Sequence, residues 1–198
     1  RRRCRPGWPR SGANVTPNAA PTCTTVRPTV NAGANQISCA NNPSVTLNGS
    51  FTVASGVIWS GGTGTFNPSN TSPNATYTPS ATEISAGSVT LTLTTPGNGT
   101  CLPETDNVTI TITPAPTVNA GLDQTVCVNA LTVALSGSVS GPTNTGIWSS
   151  SGTGNFIPNN TTLNASYVCS AQDSALGSVT LTLTSSNNGA CHADSDDM

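Results

Sequence analysis

The seven cysteines are the side chains of this sequence best equipped for chemistry, and four of them recur at fixed places. Cys39 corresponds to Cys127, and Cys101 to Cys191; Cys4, Cys23 and Cys169 have no counterpart, Cys169 standing where the first copy has Pro79. No Cys-x-x-Cys spacing occurs and His192 is the only histidine, so disulfide bonding rather than zinc ligation is the chemistry implied. Oxidised cysteine fits a secreted, extracellular setting. Other reactive groups are sparse. One histidine, eight acids and no lysine leave acid–base catalysis few candidates, and no catalytic site, metal or cofactor is expected. The absence of lysine also excludes Lys–Asn isopeptide cross-links. Gly61-Gly62-Thr63-Gly64 and Gly152-Thr153-Gly154 each link two strands and open no helix, so they read as hairpin turns rather than phosphate cradles. Asp194, Asp196 and Asp197 read as a solvated acidic tail, with a contribution to a Ca²⁺ site as the sharper alternative.

Composition narrows the classes further. Only 7% of the 198 residues are charged, and five of the six arginines fall in the first ten positions. The remainder is mildly acidic, which excludes nucleic-acid binding through a basic surface. No apolar run approaches the roughly 18 residues of a membrane span. The chain begins at Arg1, and its first ten residues look unlike the rest; it is expected to be a processed product or an excerpt of a longer array.

The elements that position the cysteines come from a tandem repeat. Pro28-Thr29-Val30-Asn31-Ala32-Gly33 returns 88 residues later as Pro116-Thr117-Val118-Asn119-Ala120-Gly121. Gly87-Ser88-Val89-Thr90-Leu91-Thr92-Leu93-Thr94 returns as Gly177-Ser178-Val179-Thr180-Leu181-Thr182-Leu183-Thr184, a shift of 90. Such a period means two copies of one small domain. Residues 28–115 form repeat 1, residues 116–198 form repeat 2, and residues 1–27 are an N-terminal extension. Val89, Leu91 and Leu93 alternate with threonine, as do Val108, Ile110 and Ile112, which is the pattern of half-buried strands. Shorter strands are expected around Leu47, Trp59 and Tyr77 and their partners Leu135, Trp148 and Tyr167. No stretch shows helical periodicity. About seven short strands per copy predict an all-β, immunoglobulin-like sandwich. Trp59, Phe66, Tyr77, Trp148, Phe156 and Tyr167 are expected in or around the core, an aromatic sugar-binding platform being the alternative.

These motifs together, from Pro-Thr-Val-Asn-Ala-Gly-x-Asp/Asn-Gln-x-x-Cys through Trp-Ser-Gly-Gly-Thr-Gly-Thr-Phe to Gly-Ser-Val-Thr-Leu-Thr-Leu-Thr, resemble PKD-like/Ig-like repeats of large secreted surface proteins of Bacteroidetes-type bacteria. Trp59-Ser60-Gly61-Gly62 stands where PKD domains carry Trp-Asp-Phe-Gly-Asp-Gly. The resemblance implies an extracellular β-sandwich array in adhesion, gliding or appendages. It also implies that Ser174, in Asp173-Ser174-Ala175, is an O-glycosylation acceptor.

Two disulfide patterns compete. Intradomain pairing gives Cys39–Cys101 and Cys127–Cys191. Yet in a sandwich the first turn and the loop before the last strand lie at opposite ends, about 20 Å apart, whereas a disulfide needs Cα atoms within about 7 Å. In a head-to-tail array Cys39 meets Cys191 across the domain junction, leaving Cys101 and Cys127 for neighbouring molecules. Repeat 2 also stops before the counterpart of Val108-Thr109-Ile110-Thr111-Ile112, so it is expected to lack its last strand. Asn14-Val15-Thr16 and Thr22-Cys23-Thr24-Thr25-Val26 are candidate strands for donation into that place in a neighbouring subunit. The expected function is a cell-surface fibre or stalk, assembled head to tail from copies of this chain or adjacent repeats. A tandem carbohydrate-binding module with surface glycans as partners is the alternative.

Overall fold

The computed structural model describes residues 27–96, 98, 101–127 and 130–198. Repeat 1 runs β1 (Thr29–Asn31), β2 (Gln36–Cys39), β3 (Val45–Thr46), β4 (Ser50–Thr52), β5 (Ile58–Ser60), β6 (Thr65–Asn67), β7 (Thr76–Thr78), α1 (Ala81–Ala86), β8 (Ser88–Thr94) and β9 (Thr105–Thr113). Repeat 2 runs β10 (Thr117–Asn119), β11 (Thr132–Ala134), β12 (Ser138–Ser140), β13 (Thr145–Ser150), β14 (Asn155–Ile157), β15 (Ser166–Val168), α2 (Ala171–Leu176), β16 (Leu181–Ser186) and β17 (Ser195–Asp197).

The alternating sequence dictates the layers. In β8 and β9, Leu91, Leu93, Val108 and Ile110 are fully buried, while the intervening threonines face outward. Each such side chain contributes about 1.5–3 kcal/mol on burial. Repeat 1 packs a four-stranded sheet, ordered β2-β9-β8-β5, against a three-stranded sheet, β3-β7-β6. β2 runs parallel to β9, with Gln36 opposite Ile110 and Cys39 opposite Thr113. β1 pairs with β4 separately. Repeat 2 keeps the plan as β13-β16-β17 against β11-β15-β14, with β10 on β12. The buried apolar residues form two separate clusters, one per repeat. This is an all-β, immunoglobulin-like arrangement.

The strand tally exceeds seven because the first two strands of the sandwich are each broken in two in repeat 1, giving β1/β2 and β3/β4. Three expectations are corrected. Two helices exist, each six residues long. The glycine-rich loops are not hairpins: β5 pairs with β8 and β6 with β7, so the loop between β5 and β6 crosses from one sheet to the other. The last strand of repeat 2 is begun by β17, which pairs with Thr182–Thr184.

Helix and loop form one lock. Ser80 accepts a hydrogen bond from the Glu83 N–H and donates its own N–H to Glu83 Oε2 at 2.8 Å, a reciprocal cap. Gly87 ends α1 in the left-handed region at φ 76°. The Thr63 N–H donates to Glu83 Oε1 at 2.7 Å, and the Tyr77 hydroxyl donates to the same carboxylate at 2.8 Å. The Gly64 N–H reaches the Tyr77 oxygen at 3.0 Å. The glycine-rich loop therefore does cradle an anion, and that anion is the protein's own carboxylate. Gly62 cannot be replaced freely, because a Cβ there would run into the Tyr77 hydroxyl and Glu83. Repeat 2 rebuilds the lock with Asp173, which accepts from Thr153 N–H at 2.7 Å and Tyr167 at 3.0 Å. The shorter acid is supplemented by Ser150, whose hydroxyl donates to Tyr167 at 2.8 Å.

These contacts set a pH window. Burial raises the Glu83 pKa, but the amides of Ser80 and Thr63 outweigh it and hold the carboxyl below its ordinary range. The amides of Thr153 and Ser170 hold Asp173 far below that range. Burial, then the bond to Glu83, push Tyr77 up to about 12. Carboxylates with depressed folded pKa add stability that is complete above the unfolded value, about 4, and is lost as pH falls through the folded value. A phenol with a raised folded pKa adds stability that is complete below about 10 and is lost as pH climbs past it. Thermal melts are therefore expected to be flat between about pH 5 and 9 and to fall on both sides. Glu83→Gln with Asp173→Asn should lower the midpoint at neutral pH and flatten the acid limb; an unchanged acid slope would assign that limb to other carboxylates.

Candidate functional site: the module junction and the groove of repeat 2

The cysteine at the end of β2 and the cysteine in the turn between β16 and β17 meet where the two repeats join. Cys39 and Cys191 form a disulfide, with Cα atoms 4.9 Å apart and a sequence separation of 152. The topology explains the meeting. β2 lies parallel to β9, so Cys39 arrives beside Thr113, where the chain leaves repeat 1. The turn before β17 lies at the near end of repeat 2. Both sulfurs rest against the Pro114 carbonyl oxygen, at 3.6 and 3.5 Å. Cys39 is fully buried and Cys191 is 9% exposed, so soluble reductants reach the bond poorly.

Amide side chains seal the same seam. Asn41 donates to the His192 carbonyl and accepts from the His192 N–H, both at 3.1 Å. Asn42 donates to the Ala190 carbonyl at 3.2 Å. A small asparagine-lined contact and one covalent bond thus define the junction. The seam asparagines were not singled out from sequence. Their signal is the Cys39-Ala40-Asn41-Asn42 turn, closed by paired hydrogen bonds between Cys39 and Asn42.

The intradomain pairings are excluded for these cysteines, since Cys191 is bonded to Cys39 and Cys127 is free. Cys101 is itself disulfide-bonded, so it is not left over for a neighbouring molecule. Cys127, the repeat-2 counterpart of Cys39, is an exposed free thiol, and Cys169 is a half-buried one. Cys4 and Cys23 lie outside the described residues. So do the other strand-donor candidates, Asn14, Val15, Thr16, Thr22, Thr24, Thr25 and Val26.

Repeat 2 carries an open groove of about 490 Å³. One wall is residues 124–127, which correspond to β2; the other is residues 177–181, which lead into β16. Gln124 holds the first wall by donating to the Ala134 carbonyl at 2.8 Å, as Gln36 does to Thr46 at 3.0 Å in repeat 1. In repeat 1 the space between the corresponding walls is filled by the second half of β9, with Val89 opposite Ile110. In repeat 2 residues 124–127 and 177–180 are not in strands, and Val179, Thr125 and Val126 make no backbone hydrogen bond among the described residues. Val133, Tyr167, Leu181 and Cys169 line the floor. The Ser174 hydroxyl is buried in the groove wall without a hydrogen-bond partner. The buried oxygen is not open to a glycan in this arrangement.

The aromatic platform is corrected. Trp59, Tyr77, Trp148 and Tyr167 are at most 1% exposed. The indole N–H groups of Trp59 and Trp148 are spent on the Pro73 and Leu163 carbonyls, at 3.2 and 3.1 Å. The acidic tail is tied down as well: Asp194 and Asp196 accept the Val118 and Ala120 N–H groups at 3.2 and 2.9 Å. No group of three metal-ligating side chains occurs among the described residues. No described helix is long and apolar enough to cross a membrane.

No family model and no curated protein matches this chain. Among solved structures, the chain is similar to immunoglobulin domains 1–5 of Sidekick-1, with 15% identity, a TM-score of 0.45, and coverage of 87% of this chain and 38% of that one. It is similar to the I67–I69 fragment of titin at 12% identity and TM-score 0.45, covering 87% and 64%. It is similar to extracellular domains 3–5 of Drosophila OTK at 14% identity and TM-score 0.39, covering 86% and 58%. The chain spans less than two thirds of each.

The cysteine assignments are checked by alkylation of the folded protein followed by peptide mapping. Cys127 should label fast and Cys169 slowly, while Cys39 and Cys191 are recovered as one cross-linked pair. Cys39→Ser should leave both repeats folded, because their cores are separate, and should speed protease cleavage of the 114–116 linker severalfold. Cleavage at the parental rate would mean that the asparagine seam alone holds the junction.

Proposed function

We propose that this chain is an extracellular structural repeat protein, a building unit of a cell-surface fibre or stalk. The observation that supports this best is the disulfide that ties one module to the next. An intramodule bond would strengthen one sandwich; a bond from the exit of repeat 1 to the entry of repeat 2 stiffens a row of modules. Its persistence needs an oxidising compartment, which supports a location outside the cell. Copies of the chain join head to tail through module-end contacts, through strand donation into the groove of repeat 2, and through cysteine. A heterologous contact of this kind repeats without closing and yields a filament. The burial of Trp59, Tyr77, Trp148 and Tyr167 in the cores favours this reading over a glycan-binding platform built from them.

Electron microscopy of the purified secreted protein tests the reading. Fibres or rows of end-to-end modules are expected under oxidising conditions. A population of isolated two-module particles at all concentrations, together with selective binding on a glycan array, would replace the fibre by a carbohydrate-binding module.

A further inference from the structure

We propose that Asn188–Gly189, in the turn between β16 and β17, is a self-modification site. The Asn188 side-chain amide is lost to water through a cyclic imide, and the aspartate and isoaspartate so formed loosen the seam beside the Cys39–Cys191 bond. This stands apart from the fibre reading and does not depend on it.

The chain has three Asn-Gly steps, at Asn48, Asn98 and Asn188. In such a step the glycine nitrogen is the nucleophile and the asparagine Cγ its target. The missing Cβ of glycine removes the steric bar to closing a five-membered ring. The fold treats the three steps differently. The Gly49 N–H is spent on the Pro73 carbonyl at 3.0 Å, and Gly49 is buried where a Cβ would press on Pro73, Leu93 and Trp59. That nitrogen is neither free nor able to move. Asn98 is gripped by its side-chain amide, which donates to the Thr95 carbonyl, the Thr95 hydroxyl and the Leu102 carbonyl, each at 3.0 Å.

Asn188 occupies the same place in repeat 2 with a weaker hold. Its amide donates only to the Ser185 carbonyl, at 3.2 Å, among the described residues. Its Oδ1 is buried without a hydrogen-bond partner, so the side chain is seated at a cost and a local opening of the turn releases it. Gly189 is exposed, with φ at 61°, and nothing stands within 4 Å of where a Cβ would be. Its N–H makes no hydrogen bond among the described residues. A free nucleophile and a loosely held amide therefore meet at this step.

The reaction needs no reagent but water. The Gly189 nitrogen gives up its proton and bonds to Asn188 Cγ, while the Cγ–Nδ2 bond breaks and ammonia leaves. Water then opens the imide. Attack at the former side-chain carbonyl gives aspartate. Attack at the main-chain carbonyl gives isoaspartate, whose main chain runs through Cβ and is one carbon longer.

Either product undoes the turn. A carboxylate has no hydrogen to give the Ser185 carbonyl. In isoaspartate the Asn188 carbonyl, which accepts the Cys191 N–H at 3.0 Å, becomes part of a free carboxylate. The lengthened chain displaces the groups that follow, and these are the seam: the Ala190 carbonyl that accepts from Asn42, and the His192 carbonyl and N–H bound by Asn41. The disulfide takes no part in the chemistry. With age the junction passes from a sealed contact to a covalent hinge.

Ageing the full chain in mildly alkaline buffer, followed by peptide mapping and enzymatic isoaspartate labelling of the digest, tests the site. The peptide holding Asn188 should convert at least tenfold faster than the one holding Asn48, with isoaspartate the main product. In the aged protein the His192 amide should exchange hydrogen severalfold faster while Cys39 and Cys191 stay paired. Asn188→Gln should stop the conversion, because a six-membered imide closes far more slowly, and should keep the His192 amide slow throughout. Gly189→Ala retains Asn188 and should slow conversion severalfold. Conversion of Asn188 only after denaturation would show that the turn protects the step and would overturn the proposal. Equal rates at Asn48 and Asn188 would assign the reaction to sequence alone and overturn it too. So would full conversion with an unchanged His192 amide, since the seam would then be indifferent to the modification.

Discussion

The pairing of the last strand with the strand before it is the constraint on which the rest depends. In repeat 1 β9 is a member of three contacts at once. It pairs antiparallel with β8, parallel with β2, and delivers Val108, Ile110 and Ile112 to the core. Its end also carries Cys39 to the module exit. In repeat 2 the same pairing joins residues 181–185 to residues 194–198. Residues 124–127 and 178–180, whose counterparts in repeat 1 flank the second half of β9, are not in strands.

The two repeats serve as each other's control. Where the last strand is not involved, they agree in detail: tryptophan donating to a turn carbonyl, asparagine donating back to the tryptophan carbonyl, tyrosine bound to an acid on a capped helix. The exchange of Glu83 for Asp173 is absorbed by Ser150. A lock that survives such an exchange depends on placing a carboxylate against loop amides, not on one side-chain length. It anchors the crossover between sheets, so the sandwich closes on the face away from the groove irrespective of what fills the groove.

Much of this was legible in the sequence, for physical reasons. Period-two alternation located β8, β9 and β16, and turn residues separated the shorter strands. The objection to intradomain disulfides followed from strand direction alone, which is why Cys39 and Cys191 could be named as partners across the junction. The helices were not legible through periodicity, because six residues make fewer than two turns. Their only local marks are Ser80 with Glu83, Ser170 with Asp173, and the closing glycines, a capping signature. The glycine loops resemble hairpins in sequence because a hairpin and a sheet-to-sheet crossover share the same composition. What distinguishes them is the partner of each flanking strand, a long-range fact. The pairing of Cys101 was likewise beyond reach, since nothing local sets cysteine partners.

The junction bond sets how these two repeats would respond to a pull along the chain. Without it, a pull from Arg27 to Met198 passes through both sandwiches, and a ruptured module releases its whole length. With it, the shortest covalent path runs from Arg27 to Cys39, crosses to Cys191 and continues to Met198. The 152 residues of sequence separation between the two cysteines lie behind the bond. At about 3.5 Å per residue that is roughly 500 Å of chain withheld from extension. The segments left in the load path are short and end-located, and the first of them includes β1 and β2. β2 is held in parallel register over four residue pairs to β9, so tension along it shears those hydrogen bonds together rather than opening them one after another. A chain with 7% charged residues and few large contacts at its seam therefore resists elongation through where its covalent cross-link is placed, not through the size of its interface.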